Sequence, residues 1–84
     1  MLKVTFPRGL SDLKNQGCRA ATSVALNLAE GLQRSGKARS NHLSIARGSA
    51  AEALTVLDIV QPTGAAEQME KLRRIDRMLE KLGG

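Results

Sequence analysis

Asn27 and Glu30 stand three residues apart in one helical stretch of the chain, and Ser49 and Glu52 stand three apart in the next. That spacing puts both members of each pair on one helix face, on or beside the apolar stripe. Polar groups so placed cost free energy unless they find partners. With Arg19 and Arg47 as the nearest cations, the six residues predict a partly buried hydrogen-bond and ion-pair network that fixes helix register. A carboxylate-bridged metal pair would need Glu-x-x-His on facing helices. Neither Glu30 nor Glu52 is followed by histidine at that spacing, so no metal site is expected. His42 is the only histidine and Cys18 the only cysteine, and no serine or cysteine has a context that pairs it with His42. His42 therefore reads as a polar residue at or near the surface, and Cys18 as a small, half-buried helix residue. Nothing supplies a nucleophile or a base, so the chain is expected to be no enzyme and to carry no cofactor.

The other available chemistry is charge. The net charge is +5, and it is uneven: Met1 to Gly48 hold eight Lys/Arg against two acids, whereas Ser49 to Gly84 hold five against six. A basic half suits a polyanion, or serves solubility alone. Arg8, Lys14, Arg34, Lys37 and Arg39 are the residues expected to touch phosphates. Arg34, Lys37 and Arg39 cluster at one turn, and in a ring that turn would repeat and multiply a weak contact. Phe6 is the only aromatic residue, which argues against a base-stacking RNA surface. Contact would therefore be sequence-tolerant and salt-sensitive. The Arg73, Arg74 and Arg77 cluster is offset by Glu70, Asp76 and Glu80 and reads as structural.

The elements that must position these residues are helices. Residues 1–9 read as an extended lead-in, because Val4-Thr5-Phe6 favours strand or coil and Pro7 disfavours helix at Phe6. Leu10, Leu13, Gly17, Ala20, Val24, Asn27 and Gly31 recur at helical spacing and predict a first helix over about 11–30, with Gly31 as its C-cap. Gly17 on that stripe is either a point of close approach or a weak spot. Leu43, Ala46, Ala50, Ala53, Leu57 and Val60 predict a second helix over about 37–60, stopped by Gln61-Pro62-Thr63-Gly64. Gly48, between the small residues Ala46 and Ala50, suggests a close crossing. Met69, Leu72, Ile75, Leu79 and Leu82 predict a third helix over about 65–82. The fold class is all-α: one domain, an antiparallel bundle of three helices.

Eighty-four residues make a small domain, burying only about 60% of the surface its unfolded chain exposes. One cysteine closes no internal disulfide, so self-association is the default way to complete the core. No apolar run reaches the ~20 residues a membrane helix needs, and no signal peptide is visible. With an unpaired cysteine this fits a cytoplasmic protein.

Gln16, Arg19-Ala20-Ala21, Ser23, Asn27-Leu28-Ala29-Glu30-Gly31, Arg34-Ser35 and Ile45-Ala46-Arg47-Gly48-Ser49 with Glu52 resemble a bacterial four-helix-bundle family. It is the family first noted in intervening sequences of large-subunit ribosomal RNA genes and sometimes labelled S23-type. The chain is also similar to the accessory variability determinant of diversity-generating retroelements. The resemblance covers Phe6 to about Val60 closely and the third helix loosely. It implies an up-down bundle assembling into a ring, commonly a pentamer, with a basic surface for RNA or DNA. The retroelement relatives imply a reverse transcriptase as partner. No enzymatic activity and no membrane is implied.

The family usually has a long helix ahead of the Phe-Pro turn, where this chain has Met1 to Thr5, so the resemblance implies a truncated four-helix bundle lacking its first helix. Ser35 is followed three residues later by Ala38, which removes the capping box. His42 stands where Phe is common, and Arg39 replaces another apolar residue. A three-helix remnant leaves an apolar groove, to be filled by a partner, closed by swapping, or left open in a fragment. Two functions are thus expected: an oligomerising helical module with sequence-nonspecific nucleic-acid binding, or a scaffold whose groove accepts a partner helix.

Overall fold

The structure, a computed structural model, describes residues 9–61 and 63–83. The predicted lead-in, including Arg8, lies almost wholly outside them. Three helices make up the described chain: α1 (Ser11–Leu32), α2 (Gly36–Val60) and α3 (Ala65–Lys81). The fold is all-α, as the apolar periodicity predicts. No helix among the described residues is long and apolar enough to cross a membrane.

Backbone chemistry sets the ends. Gly9 adopts a left-handed φ of 85° just before α1, where a side chain would be strained. α1 closes through the Gln33 amide, which donates to the Glu30 carbonyl at 3.1 Å. α2 closes at Gln61, which takes a left-handed φ of 47° and donates its amide to the Leu57 carbonyl at 2.8 Å. Gly64, at φ 87°, then launches α3.

The short turns reverse the chain twice. Gly31 lies against Leu43 and Ser23 against Ser49, so α1 and α2 are antiparallel. Arg47 meets Asp76, and the Ser40 hydroxyl donates to the Gly83 carbonyl at 3.3 Å, so α2 and α3 are antiparallel too. α2 is the central element: α1 and α3 each pack on it and make no comparable contact with each other. Two apolar groups fill the interfaces. Ala20, Val24, Ala50, Ala53, Leu57, Ala65 and Leu72 form one, joined by Leu54, Met69 and Ile75. Leu43, Ala46 and Leu79 form the other, joined by Leu28 and Leu82. Leu43, Leu57 and Leu79 are fully buried.

Two glycines differ from their sequence reading. Gly31 is not the C-cap of α1, because the helix continues to Leu32 and is capped at Gln33. Gly31 is instead buried in the α1–α2 seam, where a Cβ would sit 3.0 Å from Leu43 Cδ2 and 3.3 Å from His42 Cβ. Gly48 is not at a close crossing: it is exposed, and a Cβ there would meet nothing within 4 Å. At 100° per residue it points away from Ala46 and Ala50, which hold the buried face. Gly17 is buried on the inner face of α1.

Candidate functional site

The predicted polar network divides in two. Its α1–α2 half is built on Asn27 and Ser49, with two residues that spacing had not supplied, Ser23 and His42. Asn27 Nδ2 donates to the Ser23 carbonyl at 2.9 Å and to Ser23 Oγ at 3.1 Å. Those bonds fix the amide's orientation, so Asn27 Oδ1 faces His42 Nδ1 at 3.0 Å. An amide oxygen only accepts, so the His42 Nδ1 carries the proton and donates it. Ser49 Oγ donates to Ser23 Oγ at 2.7 Å, which completes a line of four side chains across the two helices. All four are half-buried, and every described buried side-chain polar atom has a partner.

The other half lies between α2 and α3. Arg47 Nε donates to Asp76 Oδ1 at 2.9 Å, and its Nη2 lies 3.5 Å from Glu80 Oε2. The hydrogen bond to Asp76 raises the Arg47 pKa above its ordinary value; desolvation opposes the shift, and the Asp76 and Glu80 charges support it. The guanidinium is therefore charged at every pH at which the protein is handled.

Arg19, Glu30 and Glu52 are not members of either half. All three are exposed. Glu30 instead pairs with Arg34 one turn later, at 3.2 Å. The physical reason lies in Gly31: with the glycine in the seam against Leu43, Glu30 is rotated outward. Glu52 lies 300° on from Ser49, enough to carry it from the line's edge to solvent. Ser23 had a legible signal, standing four residues before Asn27 and so beneath it. His42 lies seven residues before Ser49, two turns along the same face, which is the pattern that could have marked it.

The predicted phosphate contacts also divide. Arg34, Lys37 and Arg39 gather where α1 passes into α2, with Lys37 exposed and Arg39 half-buried. The Ser40 bond to Gly83 brings the end of α3, and hence Lys81, to this same end of the bundle. Among the described residues, neither Lys37 nor Arg39 has a carboxylate at ion-pair distance, whereas Arg47, Lys71, Arg74 and Arg77 each do. Ser35 makes no side-chain cap to α2, and the first turn of α2 holds no acid, so its amide dipoles add positive potential there. Lys14 does not join the group. It is exposed in the first turns of α1, roughly 30 Å along the helix from Arg34 at 1.5 Å per residue. Arg8 lies outside the described residues.

A third feature is apolar. Between α1 and α3 an open groove of about 300 Å³ is lined by Ala21, Val24, Ala25 and Leu28 on one side and by Gln68, Lys71, Leu72 and Ile75 on the other. Among the described residues, no group of three or more His, Cys, Asp and Glu side chains is placed to hold a metal ion.

Comparison with curated proteins and with solved structures gives no match. A family model does match, that of the 23S rRNA-intervening sequence protein, over residues 2–83. That span takes in all three helices and every residue of the polar line and the basic end. The chain belongs to the family of 23S rRNA-intervening sequence proteins.

Proposed function

We propose that this chain is a non-catalytic helical module that self-associates and holds RNA or DNA by its phosphates, with Arg34, Lys37 and Arg39 as the contact set. The observation that supports this reading is the segregation of charge. On α2 and α3 most cations are matched by carboxylates, while the α1–α2 end carries Lys37 and Arg39 unmatched beside an uncapped helix start. Matched cations contribute little to a distant polyanion. Unmatched ones displace counterions from it, and that release drives sequence-independent binding. The described surface has no aromatic platform to read bases. Repetition of the basic end around an oligomer would raise the avidity of each weak contact.

Binding to duplex DNA and structured RNA across a salt series tests the reading. Affinity should fall steeply with salt, and the triple variant Arg34→Ser, Lys37→Ser, Arg39→Ser should lose binding and flatten the logarithmic salt slope by about 2 to 3 at roughly 0.9 per phosphate contact. Equal binding by parent and variant would reject these residues. Absence of binding at low salt would reject the function.

The α1–α3 groove favours a second reading, in which the chain is a scaffold and a partner helix seats on Val24, Leu28, Leu72 and Ile75. Tight capture of one protein in nuclease-treated extract, lost with Leu72→Asp and kept with the triple variant, would favour it.

A further inference from the structure

The groove between α1 and α3 has a candidate occupant within the chain itself. Leu2, Val4 and Phe6 alternate with Lys3 and Thr5. In an extended segment that alternation lines three apolar side chains on one face and two polar ones on the other. Pro7 keeps Phe6 out of helical geometry. Gly9, at φ 85°, supplies a left-handed residue where the chain must reverse to run back beside α1.

The distances agree. The groove begins at Ala21 and ends at Leu28. At 1.5 Å per residue those lie about 15 and 25 Å beyond the start of α1. Extended chain covers at most about 3.3–3.6 Å per residue, so from Leu10 the reach is about 13 Å to Phe6, 20 Å to Val4 and 26 Å to Leu2. An antiparallel run back from Gly9 thus brings Phe6 to the Ala21–Gln68 end of the groove and Val4 to its middle. Lys3 and Thr5 would face water.

We propose that residues 2–6 fold back over α1 as an extended strap, with Phe6 and Val4 seated in the groove between α1 and α3. The strap covers the apolar face that three helices leave open, and it occupies the seat that the scaffold reading reserves for a partner helix. Self-association and phosphate contact at the opposite end of the bundle are independent of it.

Thiol cross-linking of the full chain, in a Cys18→Ser background, tests the strap. Phe6→Cys with Gln68→Cys should give an intramolecular disulfide about tenfold faster than Phe6→Cys with Glu52→Cys, because only the first pair shares a high effective concentration. Glu52 is exposed on α2 and does not line the groove. Equal rates for the two pairs, or a disulfide formed only between chains, would overturn the proposal. The second outcome would give the groove to another copy. Phe6→Trp provides a check that leaves the groove residues untouched, since the chain has no other tryptophan. Its emission should be blue-shifted in the native protein and move to the red when Leu72→Asp is added. Emission typical of solvent-exposed indole in the parent background would equally overturn the strap.

Discussion

α2 has two neighbours and meets them in different ways. Against α1 it presents small residues: Ala20, Ala50, Ala53 and Gly31 let the backbones come close, and the Ser23–Asn27–His42–Ser49 line crosses the seam. Against α3 it presents larger ones, Leu43 on Leu79 and Leu57 near Leu72, with Arg47 and Asp76 at the half-exposed edge. Leucine-on-leucine packing tolerates small shifts, because apolar surface is buried in either position. A hydrogen-bonded line does not, because a slip of one turn would leave several half-buried polar groups without partners. The α1–α2 interface therefore specifies register, and the α2–α3 interface supplies bulk burial.

The largest effect expected from this contrast is at Leu79, which is fully buried between α2 and α3. Leu79→Ala should cost about 2–5 kcal/mol, the transfer and cavity cost of a buried leucine. Chemical denaturation followed by helical circular dichroism reads it. A cost under 1 kcal/mol would mean that α3 is not held by this contact.

Next is the polar line. Asn27→Ala strips His42 and Ser23 of a shared partner and should cost about 1–2 kcal/mol, less than a fully buried site because the group is half-buried. The sharper test is a double-mutant cycle of Asn27→Ala with Ser49→Ala, which are linked through Ser23. Coupling of at least about 0.5 kcal/mol is expected for members of one network. Strict additivity would mean that the line is a set of local bonds with no role in register.

The two helix glycines should respond with opposite signs. Both alanine substitutions improve helix propensity by up to about 1 kcal/mol. At Gly48 nothing opposes the gain, so Gly48→Ala should stabilise by about 0.5–1 kcal/mol. At Gly31 the new methyl meets Leu43, which is fully buried and has no room to retreat. Overpacking of about 1–3 kcal/mol should outweigh the propensity gain, leaving Gly31→Ala net destabilised. Stabilisation by both would show that the seam is looser than the 3.0 Å approach implies.

The glycines also show what the sequence makes legible. The apolar stripes of all three helices could be read because each is a periodic sum over many residues, and in α3 Leu72, Ile75 and Leu79 carry it with no competing signal. A glycine near a helix end is one residue with two physical uses, cap or contact, and which applies depends on what faces it. Gly31 faces Leu43, and no local signal says so. Gly48 was within reach of angular arithmetic, since two residues from Ala46 is 200° around the helix. The site follows the same rule. Arg34, Lys37 and Arg39 are neighbours in sequence, so their cluster was legible. Arg47 finds Asp76 across 29 positions, and that pairing is set by which face of α3 turns to α2.

The smallest effect should come from the Arg47 pair itself. Its partners lie at the edge of the α2–α3 interface, about a third exposed for both Arg47 and Asp76, where water and salt screen the attraction. Arg47→Met keeps much of the stem's packing and removes the charge, so it should move the denaturation midpoint less than Gly48→Ala does. The pH dependence separates this pair from a buried one. A raised arginine pKa contributes stability that is fully present below the unfolded value and lost only as pH climbs through the folded one. For Arg47 that window lies above the range in which the protein is studied. The parent and Arg47→Met should therefore show the same difference in stability at pH 6 and at pH 9. A difference that grows or vanishes between those values would assign the pair's energy to a titrating neighbour, and would move the electrostatic weight of the α2–α3 interface from its edge to its core.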